Sequence, residues 1–453
     1  MDSTIKIKSR VHPVDEKLAL WPTFVMGLQH VLVMYSACII VPLILGAALD
    51  LPKDKLSLII NADLFAAGLA TLVQCFGNRF FGIRLPIMMG VTFTAVAPMI
   101  AIGVNPDLGI TGIFGAIIAS GLIGIACAPL MGKLLRFFPP VVTGSVLLVI
   151  GLSLMKVGIE WAAGGEPRLP DGSPNPDFGK PIYLAISFFQ LALILLINRY
   201  AKGLIANTSI LIAMICGFIC ATALGDVSLK GLDEAAWFGM IKPFSFGLPT
   251  FDIWAIVSMS LVMLVTMVES TGMFLALGKM VDQEIDEKRL VRGLRSDGLG
   301  TLLGGIFNAF PYTSFSQNIG LVAISGVTSR YVAASGAFIL ILLGCFPKMA
   351  FIIASLPLYA LGAAAMVMFG TVALMGVQIL SNVNFSHHRS NILIVSSSVG
   401  IGLTPTIAPH FFQHMPAWSK MITDSGIILC VITAVLLNAL LNSNSHHSPQ
   451  AKK

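Results

Sequence analysis

Long apolar runs alternate with short polar breaks from about residue 22 to residue 442 of the 453-residue chain, and no polar stretch between them is long enough for a globular domain. Such runs predict membrane-crossing helices, which need roughly 20 apolar residues each. They predict about fourteen spans, near 22–46, 57–77, 85–103, 110–131, 139–157, 181–199, 204–224, 252–277, 292–307, 313–326, 331–346, 350–380, 391–404 and 424–442. Two spans are interrupted. "LPIMMGVTFTAVAPM" carries Pro86, Gly90 and Pro98, and "FPYTSFSQNIGLVAISG" carries Pro311, a run of hydroxyls and the amide pair Gln317 and Asn318. Irregular backbone survives at membrane depth only where protein or a watery cavity satisfies it. The second stretch suits a half-helix that starts in mid-membrane, its orphan N–H groups and positive dipole end facing a cavity. Two interrupted spans in matching halves point to a ligand site between them, the alternative being a pair of kinked structural helices.

Composition supports the membrane reading. The chain is 56% hydrophobic and 11% charged, where soluble domains carry about 25% charged residues. Lipid must be its solvent. With the N-terminus in the cytoplasm, 19 of the 28 Lys and Arg fall on the cytoplasmic side, which places both termini inside. The basic N-terminal stretch lacks a cleavage site after a short apolar core, so it reads as a cytoplasmic tail and not a signal peptide. The net charge of +6 then reflects basic loops, not a nucleic acid partner. The seven cysteines form no CxxC pair and read as small buried hydrophobes, with no disulfide framework or metal site.

A repeat is visible. "FPPVVTGSVLLVIGLSLMKVG" (138–158) resembles "LPLYALGAAAMVMFGTVALMG" (356–376), with Pro139 and Gly144 matching Pro357 and Gly362. The copies lie about seven spans apart, and an odd number of spans per repeat inverts the second copy, the architecture of many secondary transporters.

Polar groups inside the spans are the candidate chemistry. Glu269 follows some fifteen mostly apolar residues and no Lys or Arg lies deep in any span, so it reads as functional. Asp297, in "LRSDGLGTLLGG", opens the next expected span and reads equally as a cap or a functional group. His30 sits a third of the way into the first span and is a packing or a functional residue. Met273 follows Glu269 by one turn and shares its face. Asp63 suits an interhelical hydrogen bond better than ligand contact. No P-loop, zinc-protease spacing or nucleophile elbow accompanies these groups, which argues against an ATPase or a membrane hydrolase.

These residues carry a resemblance. "SQNIGLVAISG" resembles the signature of the nucleobase–ascorbate transporter family, also called the nucleobase–cation symporters: Gln or Glu, Asn-x-Gly, four residues, Thr. Gln317, Asn318 and Gly320 match, and Ser325 replaces the Thr while keeping the hydroxyl. "ESTGMFLALG", "RGLRSDGLGTLLGG", "GLQHVLVMY", "GIRLPIMMGVTFTAVAPMIAIG" and "MKVGIEWAAGG" resemble the family too, so the likeness covers essentially the whole chain. It is greatest to the bacterial urate and xanthine permeases.

The resemblance implies an all-α polytopic fold of about fourteen spans in two inverted seven-span repeats, with short strands in the third and tenth spans. It implies a core domain (22–135 and 251–346) and a gate domain (136–250 and 347–442), between cytoplasmic tails 1–21 and 443–453. Glu269 and Gln317 would hold a purine by its edge, Phe93 and Phe315 would flank its ring, and Thr92 and Ser316 would add backbone hydrogen bonds. Asn318, Asp297 and His30 would support the site, with the coupling proton on Glu269 or Asp297. Met273 would set specificity alongside Ser325; uracil carriers of the family have His at the Met273 position, and the xanthine-selective branch tends to have Asp. The implied activity is proton-coupled urate uptake, with xanthine, by an elevator-type homodimer in the bacterial inner membrane, using no cofactor beyond the proton. The alternatives are a xanthine-first permease and an anion exchanger or channel of the sulfate-transporter type.

Overall fold

The apolar runs fold as helices, since backbone removed from water must pair with itself. The computed structural model describes residues 12–169, 172–386, 388–416 and 419–442. The expected tail 443–453 and residues 1–11 of the other tail lie outside these. The first half holds α1 (Leu20–Ala48), α2 (Lys53–Phe76), strand β1 (Met89–Val91), α3 (Val96–Gly103), α4 (Gly109–Cys127), α5 (Met131–Leu134), α6 (Pro140–Ala162), α7 (Pro181–Tyr200), α8 (Leu204–Asn207) and α9 (Ser209–Leu224). The second holds α10 (Ile253–Met280), α11 (Glu287–Ile306), strand β2 (Tyr312–Ser314), α12 (Ser316–Ser325), α13 (Arg330–Gly344), α14 (Pro347–Ala354), α15 (Tyr359–Leu380), α16 (Arg389–Ile407), α17 (Lys420–Thr423) and α18 (Gly426–Leu441).

Among the described residues eight helices are long and apolar enough to cross a membrane, or nine if α13 and α14, bent by 79° at their junction, count as one. Shorter apolar helices run over Phe93–Gly103, Ser209–Leu224 and Gly426–Leu441, and the half-helix α12 and the charge-rich α11 fall where the sequence places further spans.

Two boundaries differ from the sequence reading. The run 350–380 is not one helix: α14 ends at Ala354 and α15 starts at Tyr359. Pro357 lies in the break, where it lacks an N–H for a helical ladder and biases Leu356 away from helical backbone. Asp297 does not open α11. That helix starts ten residues earlier, capped by Asp286, whose Oδ1 accepts from the Arg289 N–H at 2.8 Å. The capping explanation of Asp297 therefore falls away. The start was hidden because "EKRLVRGLRS" is too charged to read as part of a span.

Packing is reciprocal between the halves. α2 packs on α13 as α11 packs on α4, and α1 meets α13 as α10 meets α4. α7 and α9 pack together against α15, as α16 and α18 pack together against α6. α6 and α15 lie on each other, and glycines on both helices form their seam. A Cβ on Gly151 would stand 2.3 Å from Ala373 N, and one on Gly362 would stand 2.3 Å from Ala162 N. Only small residues allow backbones this close. β1 and β2 pair antiparallel between the halves, with Met89 opposite Ser314, Gly90 opposite Thr313 and Val91 opposite Tyr312.

Candidate functional site

Two three-residue strands make a marginal ribbon by themselves, so the surrounding helices must hold it. Met89 N–H donates to Thr71 Oγ1 of α2 at 2.8 Å, and Tyr312 N–H to Thr301 Oγ1 of α11 at 3.2 Å. Thr92 N–H donates to Pro311 O and Phe315 N–H to Met88 O, extending the ladder at both ends. Ser270 Oγ of α10 shares a hydrogen bond with Thr313 Oγ1 (3.1 Å). Past each strand a short helix begins. The N-terminus of α12 has no side-chain cap, which leaves its first N–H groups available. The Phe315 ring lies on the bare backbone of Gly90, where a Cβ would stand 2.3 Å from Phe315 Cδ2.

A cavity of about 30 Å³ opens at this junction. The broken spans line it with Val91, Phe93, Thr94, Thr313, Ser314, Phe315, Ser316 and Gln317, and α10 adds Glu269. Leu147 and Ile150 of α6 and Val372 and Met375 of α15 form the facing wall. Of the sequence candidates, Glu269, Gln317, Phe93, Phe315 and Ser316 thus meet around one space. Glu269 is half-buried and Gln317 exposed, and no Lys or Arg is among the lining residues. Ser316 Oγ donates to Gln317 Oε1 at 3.1 Å. The Phe93 ring stands nearly perpendicular to Phe369, 5.9 Å between centroids.

The sequence matches a known family. Its model, described as a permease family, matches residues 22–411. The chain belongs to that family. It is 48% identical to the uric acid transporter UacT of Escherichia coli (strain K12), over 97% of this chain and 90% of the relative. It is 45% identical to the xanthine permease of Bacillus subtilis (strain 168), over 93% and 94%. Among solved structures it resembles the transmembrane domain of the cyanobacterial bicarbonate transporter BicA, with a TM-score of 0.59 at 15% identity over 94% and 99% of the two chains. The murine anion transporter Slc26a9 gives a TM-score of 0.61 at 12% identity over 94% and 69%. These two likenesses show a shared fold, and the chain is a permease rather than an enzyme.

Other candidates of this permease sit behind the cavity. Asn318 is buried, pairs through Nδ2 with His30 Nδ1 (3.0 Å) and donates to His30 O (2.9 Å), tying α12 to α1. Asp297 is buried in the middle of α11 and accepts from Gln74 Nε2 of α2 at 2.8 Å. Gln74 also donates to Gly293 O and accepts from Ile83 N–H. Thr92 is buried, its hydroxyl accepting from Thr94 N–H. Two candidates are not brought to the cavity. Met273 packs half-buried against an apolar cluster that includes Ile83, Met267 and Phe274, and Ser325 is exposed at the far end of α12. Gln74 and Ser270 are further polar groups at span depth that this cavity's surroundings use. The four apolar wall residues carry no polarity signal in the sequence that would mark them.

Chemically, the cavity opposes hydrogen-bonding groups to an apolar wall. A carboxylate accepts N–H, a primary amide both donates and accepts, and a free helix N-terminus donates. Aromatic rings at Phe93 and Phe315 can cover a flat solute without imposing a polar pattern.

Proposed function

We propose that this permease takes up urate, and xanthine with it, in symport with protons across the bacterial inner membrane. The carrying observation is that Glu269 and Gln317 line one cavity between Phe93 and Phe315, with no cation among the lining residues. A purine is flat and edged with alternating donors and acceptors, which a carboxylate and an amide read together. The relatives are named as uric acid and xanthine transporters, which supports the same substrate class here.

Glu269 is the proposed proton carrier. A proton there removes like-charge repulsion toward anionic urate and leaves an O–H donor, so proton and urate each favour the other's binding. Asp297 is the second choice. At about 30 Å³ the cavity holds little more than one water, whereas small-molecule sites span roughly 300–1,000 Å³. Admitting a purine therefore requires the α6–α15 wall to part from the strands. The reciprocal packing supports about fourteen spans in two inverted repeats. One moving core (22–135 and 251–346) would slide against a gate (136–250 and 347–442) that carries the homodimer contact, with both termini cytoplasmic.

The test is uptake of radiolabelled urate, xanthine and uracil in cells lacking their own purine permeases, with and without a protonophore. Urate and xanthine uptake that collapses with the protonophore is expected. Urate uptake indifferent to it would favour the exchanger reading, which the BicA and Slc26a9 folds keep in view. In reconstituted vesicles, Glu269→Gln should bind purine yet fail to concentrate urate against an imposed pH gradient. Retained accumulation in Glu269→Gln, with loss in Asp297→Asn, would move the proton to Asp297.

A further inference from the structure

Asp63 is 1% exposed, and the transport reading gives it no task. It shares one face of α2 with Ala67, Thr71 and Gln74, spaced four, four and three residues apart. This face touches each broken element of the site. Thr71 holds β1 through Met89 N–H, and Gln74 holds Asp297. Asp63 holds β2: the Tyr312 hydroxyl donates to Asp63 Oδ1 at 2.8 Å and lies 2.9 Å from the Asp63 main-chain oxygen. The Tyr312 ring is fully buried between α2 and α11, beside Gly300 and Gly304. A Cβ on Gly304 would stand 3.2 Å from Tyr312 Cε2.

Tyr312 precedes Thr313 and Ser314, both in the cavity wall, and its strand partner Val91 lines the cavity as well. A ribbon of six residues has little stiffness of its own. Whatever fixes Tyr312 fixes the strand from which α12 and Gln317 are launched. We propose that Asp63 is a positioning residue for purine recognition, acting through Tyr312 on β2. The recognition part rests on the reading that this cavity takes the purine.

The experiment compares Tyr312→Phe, Asp63→Asn, Asp63→Leu and the Asp63→Leu/Tyr312→Phe double variant in the full-length, reconstituted protein. Two readouts are taken: hydrogen exchange at amides 312–316, which needs no ligand, and the Kd for radiolabelled urate. Tyr312→Phe keeps the ring and removes only the hydroxyl. It should speed exchange at 312–316 and weaken urate binding about tenfold, the scale of one lost buried hydrogen bond. Asp63→Asn keeps an acceptor of the same shape and should stay within about twofold of the parent. The double variant should be no weaker than its weaker single, as for two residues in one interaction. Unchanged exchange in Tyr312→Phe would overturn the proposal whether or not the parent binds urate. Faster exchange with unchanged Kd would overturn its link to recognition. Asp63→Asn that binds urate normally but loses pH-driven accumulation would overturn it too, making Asp63 a proton carrier. A parent that binds no purine would defeat the proposed function, while exchange would still decide whether Asp63 positions β2.

Discussion

The two walls of the cavity are built on opposite principles. The wall of β1, β2, α10 and α12 is held by hydrogen bonds: Thr71 to Met89, Thr301 to Tyr312, Ser270 to Thr313, Asn318 to His30. The wall of α6 and α15 is held by shape, with glycines that let two backbones nearly touch. Directional bonds fix atoms to a few tenths of an ångström, which recognition of a polar edge demands. That seam locks α6 to α15, and the face the pair turns to the cavity is apolar (Leu147, Ile150, Val372 and Met375), with few directional bonds to break where another body moves across it. Under the proposed function, recognition falls to the first wall and closure to the second, and substitutions can test that division.

The largest effect should come from the closing wall. Gly151→Leu drives a side chain into the Ala373 backbone and should cost about 3 kcal/mol of stability by overpacking. A lowered thermal midpoint of the purified protein checks it; a parent-like midpoint would show that the seam is looser than its geometry. Next is Gln317→Leu, which removes the amide at nearly constant volume. Urate affinity should fall roughly 30-fold, about 2 kcal/mol, with the thermal midpoint unchanged. If stability fell and affinity held, Gln317 would belong to the scaffold instead.

Gly90→Ala tests whether the polar wall also positions its ring. The new Cβ has no room unless Phe315 shifts, so urate affinity should drop about tenfold, roughly 1.4 kcal/mol, by equilibrium binding. Smallest is Met375→Leu in the closing wall, a volume-conserving apolar swap that should change affinity by less than about 1 kcal/mol. A larger change at Met375 than at Gly90 would erase the division between the walls.

How far each wall could be read from the chain follows the same contrast. Glu269, Gln317 and the breaks at Pro86 and Pro311 stand out because polar groups and irregular backbone are costly in lipid, whereas Phe315 comes only from the family resemblance. Leu147, Ile150, Val372 and Met375 do not, because in a membrane protein an apolar residue facing a cavity looks like one facing lipid. Asp297 was visible as a carboxylate but misplaced at a helix start, since the charged first turns of α11 do not read as a span. Asp63 and Tyr312, 249 residues apart, each look like an isolated polar residue until the fold joins them.

Apolar run length fixed the helices and where they break, because lipid leaves the backbone no other partner and polar depth no other excuse. The sequence by itself thus determined the membrane class, most of the helices, the family and the polar residues that line the candidate site. Tertiary structure alone decided the register of Val91 on Tyr312, the face of α2 that holds both strands, and the apolar wall that closes the cavity. Those depend on contacts between residues hundreds of positions apart, and local propensity carries no information about which distant surface a residue will meet.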